Sequence, residues 1–302
     1  MKLAVSAATA GLAVAAFTVP SAMADAGTEA PTVVQTATIT AATTAPTTAT
    51  TTAVRTVRYG SHVRQTMDIY TPARAVGKVG QYLGTVVLIH GGAWIKGDKA
   101  DLAPEARQLA RRGYVVANIN YRYATDAAWP APRTDSINAV KFLRSHARSL
   151  NVDNHRIVLI GSSAGAQLAT SVATWGRGKD LVSGVVALSG PLGMRRTAFD
   201  PAGHLNTVVR NVLLRCTPAQ CGSRYDGATP KNHLTRGDVP SLLFSSRHEW
   251  LNPQNSIDFV QKARRVGLSS RLVWIPGTLH ARYYWDQAWP TIRDWVAQRM
   301  AR

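Results

Sequence analysis

Six short, mostly apolar runs, at residues 86–89, 115–119, 157–160, 182–188, 241–244 and 271–275, recur along this chain. They alternate with stretches patterned as helices, at 104–112, 135–145, 164–174, 254–265 and 287–299. An apolar run of that length without polar alternation is the pattern of a strand buried on both faces. Strands that alternate with helices form a mostly parallel sheet, because a crossover helix returns the chain to the same starting end. Right-handed crossovers then bring the carboxyl end of every such strand to one edge of the sheet. Two earlier strands, at 54–59 and 65–70, are expected as an antiparallel pair at the sheet border. The fold class is therefore α/β, with about eight strands in a mostly parallel central sheet flanked by helices. Residues 191–237 break the pattern: they are rich in Gly, Pro and Arg, and read as an irregular, cap-like insertion.

The loops at the carboxyl edge carry the chemistry. Gly161-Ser162-Ser163-Ala164-Gly165 lies between the run 157–160 and a helical stretch. A G-x-S-x-G match in a strand–turn–helix setting reads as a nucleophile elbow, with Ser163 exposed on a strained turn. Its plain alternative is a Gly/Ser turn capping a helix. Upstream, the run 85–89 leads straight into His90-Gly91-Gly92-Ala93-Trp94. Acyl transfer builds negative charge on the carbonyl oxygen, and one fixed N–H aimed there is worth about 10²–10³ in rate. The candidate donors are the amides of Gly92, Ala93 and Ala164.

A serine nucleophile needs a base, and the order Ser–acid–His requires a late histidine. His280, in the loop after 271–275, is that candidate; His248 is also late but lies where the acid is expected. His90 precedes the elbow and reads as an organiser of its own loop. Glu249 is the carboxylate in the loop after 240–246, so it is the candidate acid. Its competitors are Asp258, within a helical stretch, and Asp238, ahead of the strand.

These pieces together resemble the α/β-hydrolase family, in its esterase/lipase group with an HGG-type oxyanion loop. The chain looks close to the BD-FAE-like (feruloyl and acetyl esterase) and carboxylesterase branches. The resemblance rests on residues 67–72, 90–99, 112–116, 120–123, 129–132 with Asp135, 161–165, and Pro276-Gly277 ahead of His280. It implies a serine hydrolase that cleaves carboxylic esters of short-chain, acetyl or feruloyl type through an acyl-enzyme. In that reading Ser163, Glu249 and His280 are catalytic, and Gly92, Ala93 and Ala164 form the oxyanion hole. No metal or organic cofactor is implied. Two positions depart from the family pattern: Glu249 stands where Asp is usual, and Ala93 replaces the third glycine of an HGGG loop. An amide or formamide hydrolase is the alternative on the same fold. A non-catalytic cell-wall-binding protein is the alternative outside enzymes.

Composition bears on compartment and partners. Lys2, the apolar segment 3–19 and Ala22-Met23-Ala24 have the layout of a secretory signal peptide, over 1–24. The Thr/Ala/Pro-rich stretch 25–53 is expected as a disordered linker, which leaves 54–302 as the catalytic domain. In an exported chain the two cysteines, Cys216 and Cys221, read as a local disulfide worth about 2 kcal/mol. Lys and Arg number 35 against 17 Asp and Glu, a net charge of +18. Such a balance favours anionic surfaces such as a cell wall or acidic polysaccharide. No helix-turn-helix, zinc-finger or RNP pattern accompanies it, so no specific nucleic-acid partner is expected. The expected partner is a small or polymer-linked ester, and the expected state is a monomer. Trp94, Trp129, Trp250, Tyr283, Tyr284 and Trp285 fall in or near the site loops and are candidates for an aromatic acyl pocket.

Overall fold

The computed structural model describes residues 53–73, 82–176, 178–196 and 203–301. The chain divides into two units, Met1–Thr47 and Thr48–Arg302, and everything described belongs to the second. The signal-peptide reading (1–24) and all of the linker but Ala53 lie outside the described residues.

Eight strands form one sheet in the order β1-β2-β4-β3-β5-β6-β7-β8. They are β1 (Ala53–Arg58), β2 (Thr66–Thr71), β3 (Thr85–Ile89), β4 (Val115–Ile119), β5 (Ile157–Ser162), β6 (Gly184–Leu188), β7 (Ser241–Ser246) and β8 (Ser270–Ile275). The β1–β2 and β2–β4 pairs are antiparallel, and every other neighbouring pair is parallel. Strands β3 to β7 are buried along their whole length, as their apolar runs require. Border strand β1 is largely exposed and carries Arg55 and Arg58, charges that discourage pairing with another chain.

Among the described residues there are eight α-helices: α1 (Ala103–Arg111), α2 (Ala131–Ser145), α3 (Ala147–Leu150), α4 (Ala164–Thr174), α5 (His204–Val208), α6 (Gly222–Gly227), α7 (Gln254–Arg265) and α8 (Trp285–Met300). Successive strand residues feed opposite faces. Val87, Ile89, Ala117 and Leu159 join the core under α2 and α4, whereas Val86, Leu88, Val116 and Val158 join the core under α1 and α8. Helix α4 is buried at all 11 positions, which explains its Ala-rich, charge-free sequence. It meets the sheet edge through glycine: a Cβ on Gly165 would sit 2.1 Å from the Ile89 carbonyl oxygen.

Two expectations change in detail. Helix α2 begins four residues earlier than its pattern predicted, because Pro132 suits a first turn that needs no N–H. The described part of 191–237, expected as irregular, contains several short helices joined by turns. Helix α5 runs on into a π-helical turn at Val209–Leu213, and short 3₁₀ turns at Met194–Arg196 and Pro230–His233 flank α6. Leu205, Val209 and Leu213 recur every four residues and bury one face of this stretch. The spacing is legible in the sequence, where Leu205, Val208, Val209, Val212 and Leu213 fall on one helical face, and it was outweighed by the Gly, Pro and Arg content of the wider segment. Cys216 and Cys221 form a disulfide in the loop ahead of α6.

Candidate active site

Because β3, β5, β6, β7 and β8 run parallel, the loops that follow them share one edge. Ser163 occupies the β5–α4 turn with φ 54° and ψ −117°, a conformation that costs a non-glycine residue about 1–3 kcal/mol. Neighbouring structure holds it there. Its N–H donates to the Leu188 carbonyl (2.8 Å), and its own carbonyl accepts from Ala166 and Gln167.

Three side chains from three loops are linked by hydrogen bonds. His280 Nδ1 lies 2.6 Å from Glu249 Oε2, and Nε2 lies 2.9 Å from Ser163 Oγ. A carboxylate only accepts, so Nδ1 carries the proton and Nε2 is left to accept from the serine hydroxyl. The Glu249 side chain is 1% exposed, so this contact is shielded from water. The Trp250 ring, its centroid 4.5 Å from that of His280, covers part of the imidazole.

The loop after β3 turns on three consecutive residues with positive φ: Gly92 (110°), Ala93 (51°) and Trp94 (61°). Gly92 is required sterically, since a Cβ there would sit 2.0 Å from the Lys96 carbonyl oxygen. Gly91 lets the loop lie against the elbow, where a Cβ would come within 3.1 Å of Ser163 Cβ. The amides of Gly92 and Ala93 donate to no acceptor among the described residues. Ala164 opens α4, so its N–H has no intrahelical partner. Trp94 anchors the loop: its fully buried indole donates to Gln167 Oε1 on α4 (3.0 Å).

Comparison with known proteins identifies the family. The BD-FAE family model matches residues 67–262. This chain belongs to the BD-FAE family. It is similar to the isoprenylcysteine alpha-carbonyl methylesterase ICME of Arabidopsis thaliana, at 34% identity over 246 residues, covering 75% of this chain and 56% of that protein. Esterase LipC of Mycobacterium tuberculosis is 24% identical over 240 residues, covering 75% of this chain and 59% of LipC. The chain thus spans little more than half the length of either relative. A solved structure described as a truncated form of a carbohydrate esterase from gut microbiota superposes with a TM-score of 0.74 at 20% identity. The match covers 83% of this chain and 97% of that one, and the shared architecture is the α/β-hydrolase fold.

In this BD-FAE family member a cleft of about 930 Å³ opens onto Ser163 and His280. Its walls include Ile95 from the loop after β3, Leu205 and Val208 from the insertion, and Trp250 and Tyr283. The aromatic expectation is corrected for the remaining rings. Trp94, Trp129, Tyr284 and Trp285 are buried in the core, whereas Trp250 and Tyr283 are 41% and 67% exposed. Loop rings that bridge helix and sheet gain more from burial than from facing a ligand.

The competing residues lie in other environments. Asp258 accepts from Lys231 Nζ (2.8 Å) and Gln254 Nε2 (2.7 Å), and Asp238 accepts from the Thr235 amide. His248 is exposed. Ser162 is buried, and its Oγ accepts from the Arg282 amide (3.3 Å). Residues that the sequence reading passed over complete the surroundings of the acid. Glu249 Oε1 accepts from the Ser246 amide and from Ser189 Oγ, both at 3.0 Å. The only trace of Ser189 in the sequence was its place just after a strand.

His90 is fully buried, stacked on Tyr121 with ring centroids 4.5 Å apart, and its Nδ1–H donates to the Gly91 carbonyl (2.7 Å). Burial, aided by Arg64, pushes its pKa down to about 4, against a partial upward pull from the Gly91 hydrogen bond. The folded state therefore favours neutral His90. Its contribution to stability is complete above the unfolded value near 6.5 and is lost as pH falls towards 4. Urea unfolding at pH 7 and at pH 4 is expected to differ by about 3 kcal/mol from this group alone. His90→Gln is expected to flatten that part of the profile; an unchanged slope would mean that His90 does not carry it.

Proposed function

We propose that the chain is a secreted serine hydrolase that cleaves carboxylic esters through an acyl-enzyme. The observation that carries this reading is the relay from Glu249 through His280 to a serine held in a strained turn. His280 Nε2 takes the proton of Ser163 as Oγ attacks the ester carbonyl. Glu249 stabilises the imidazolium that results. The amides of Gly92, Ala93 and Ala164 receive the developing oxyanion, a charge that is absent in the ground state. His280 then protonates the leaving alkoxide, and water, activated by the same imidazole, releases the acid. The mixed lining of the cleft supports short-chain, acetyl or aryl acyl groups. The net charge of +18 supports a polymer-linked ester on an anionic surface. Export rests on residues 1–24 and would fail if the mature chain retained them.

A fluorophosphonate probe is expected to form one adduct, on Ser163, in the folded protein. Matched aryl esters and anilides of two- to eight-carbon and aromatic acids then define the reaction. Ester turnover is expected to exceed amide turnover throughout the panel. Amide turnover above that of the matched ester would favour the amidase alternative, and a folded protein inert to the probe would favour a binding role.

A further inference from the structure

Glu249 poses a problem of placement. A glutamate carries one more torsion than an aspartate, and its terminal carboxylate rotates in a broad, soft well. Either oxygen could face the imidazole, at a range of distances. Yet Oε2 alone lies against His280, while Oε1 is held by two donors at the ends of two neighbouring strands, the Ser246 amide in the last residue of β7 and the Ser189 hydroxyl just after β6.

We infer that Ser189 is a positioning residue, which with the Ser246 amide holds Glu249 so that Oε2 is presented to His280. The inference rests on the serine-hydrolase reading above. The Ser189 hydroxyl is saturated: it donates to Glu249 and accepts from the Ala281 amide (3.1 Å) and from Tyr284 Oη (2.7 Å). A carboxylate only accepts and an amide N–H only donates, so the one proton of the Ser189 hydroxyl goes to Glu249 and its lone pairs face Ala281 and Tyr284. Tyr284 is then the donor to Ser189, at 2.7 Å, and shares its one proton with the more distant Phe244 carbonyl at 3.2 Å. Burial, followed by the nearby Glu249 charge, raises its pKa well above the usual phenol range, which keeps that proton in place. Ala281 follows His280, so the same oxygen ties the acid's loop to the base's loop.

The backbone at Ser189 supports a role for the side chain. Its φ is 47°, the left-handed region that glycine occupies without penalty. Its N–H is fixed by the Phe244 carbonyl at 2.9 Å, at the end of β7. Ser189 and Tyr284 are each 1% exposed, so no bulk water can take over the hydroxyl's task.

Ser189→Gly separates positioning from folding, because it relaxes the backbone while removing the hydroxyl. Ser189→Ala serves as a second variant that keeps a Cβ. Both are assayed on one aryl acetate, beside the wild type and Tyr284→Phe. Thermal stability of Ser189→Gly is expected to fall modestly and less than that of Ser189→Ala, because relief of the positive φ offsets part of the lost hydrogen bonds, and KM is expected to stay within about twofold. Its kcat is expected to fall about ten- to a hundredfold, the range for losing one hydrogen bond to a charged group. Tyr284→Phe, acting one bond further out, is expected to lose less. The far-downfield proton resonance between His280 Nδ1 and Glu249 is expected to broaden or shift in both Ser189 variants. A purely structural serine would leave that resonance and kcat unchanged in a folded variant, and this result would overturn the inference. Reaction of the wild type with fluorophosphonate tests the underlying reading separately. A reactive wild type with an indifferent Ser189→Gly removes only the inference, and an unreactive wild type removes both.

Discussion

Ser163→Ala is expected to lower kcat on a short-chain aryl ester by three orders of magnitude or more, up to about 10⁶-fold. The change removes the atom 2.9 Å from His280 Nε2 and leaves the backbone contacts of the turn, which are made through the Ser163 N–H and carbonyl. Thermal unfolding should therefore stay close to that of the wild type. Residual turnover would come from the oxyanion donors and substrate binding, which the substitution does not touch. Ser162→Ala is the matched control. Its hydroxyl accepts from the Arg282 amide, so its loss should have a far smaller effect on rate. Turnover that survives in Ser163→Ala but vanishes in Ser162→Ala would place the nucleophile one residue earlier.

Glu249→Gln is expected to cost up to about 10⁴-fold in kcat. The reason lies in the two donors on Oε1. Glutamine can keep its carbonyl oxygen against the Ser246 amide and Ser189 only by turning its NH₂ group towards His280. Two donors would then face each other, Nδ1–H against NH₂. The imidazole escapes this clash by moving its proton to Nε2, where it can no longer accept from Ser163. Asp258→Asn should remain near wild type, because that carboxylate pairs with Lys231 and Gln254 on the surface of α7. A loss of turnover in Asp258→Asn with none in Glu249→Gln would move the acid to the helix.

Much of this architecture was legible in the chain because its causes are local. Runs of five residues without a polar side chain, such as Gly184–Leu188, have no stable place except a strand covered on both sides, and their alternation with helices sets the parallel topology. Gly161 and Gly165 bracket the elbow within five residues, and the space they free is used by backbone next to them in sequence or on the adjoining strand. Ser163, Glu249 and His280 could be nominated because each follows a strand, and parallel strands deliver such loops to one edge.

Other features depended on contacts that no local pattern encodes. Trp94 reads as a candidate ligand ring until Gln167, 73 residues away, supplies a buried partner for its indole. Ser189 is one serine among many, and only the approach of Glu249 from 60 residues away and Tyr284 from 95 gives its hydroxyl a task. Backbone preference and hydrophobic period act over a few residues and can be read in order along the chain. Hydrogen-bond satisfaction in a buried site is set by groups from separate loops, so it exists only once the sheet has brought those loops together.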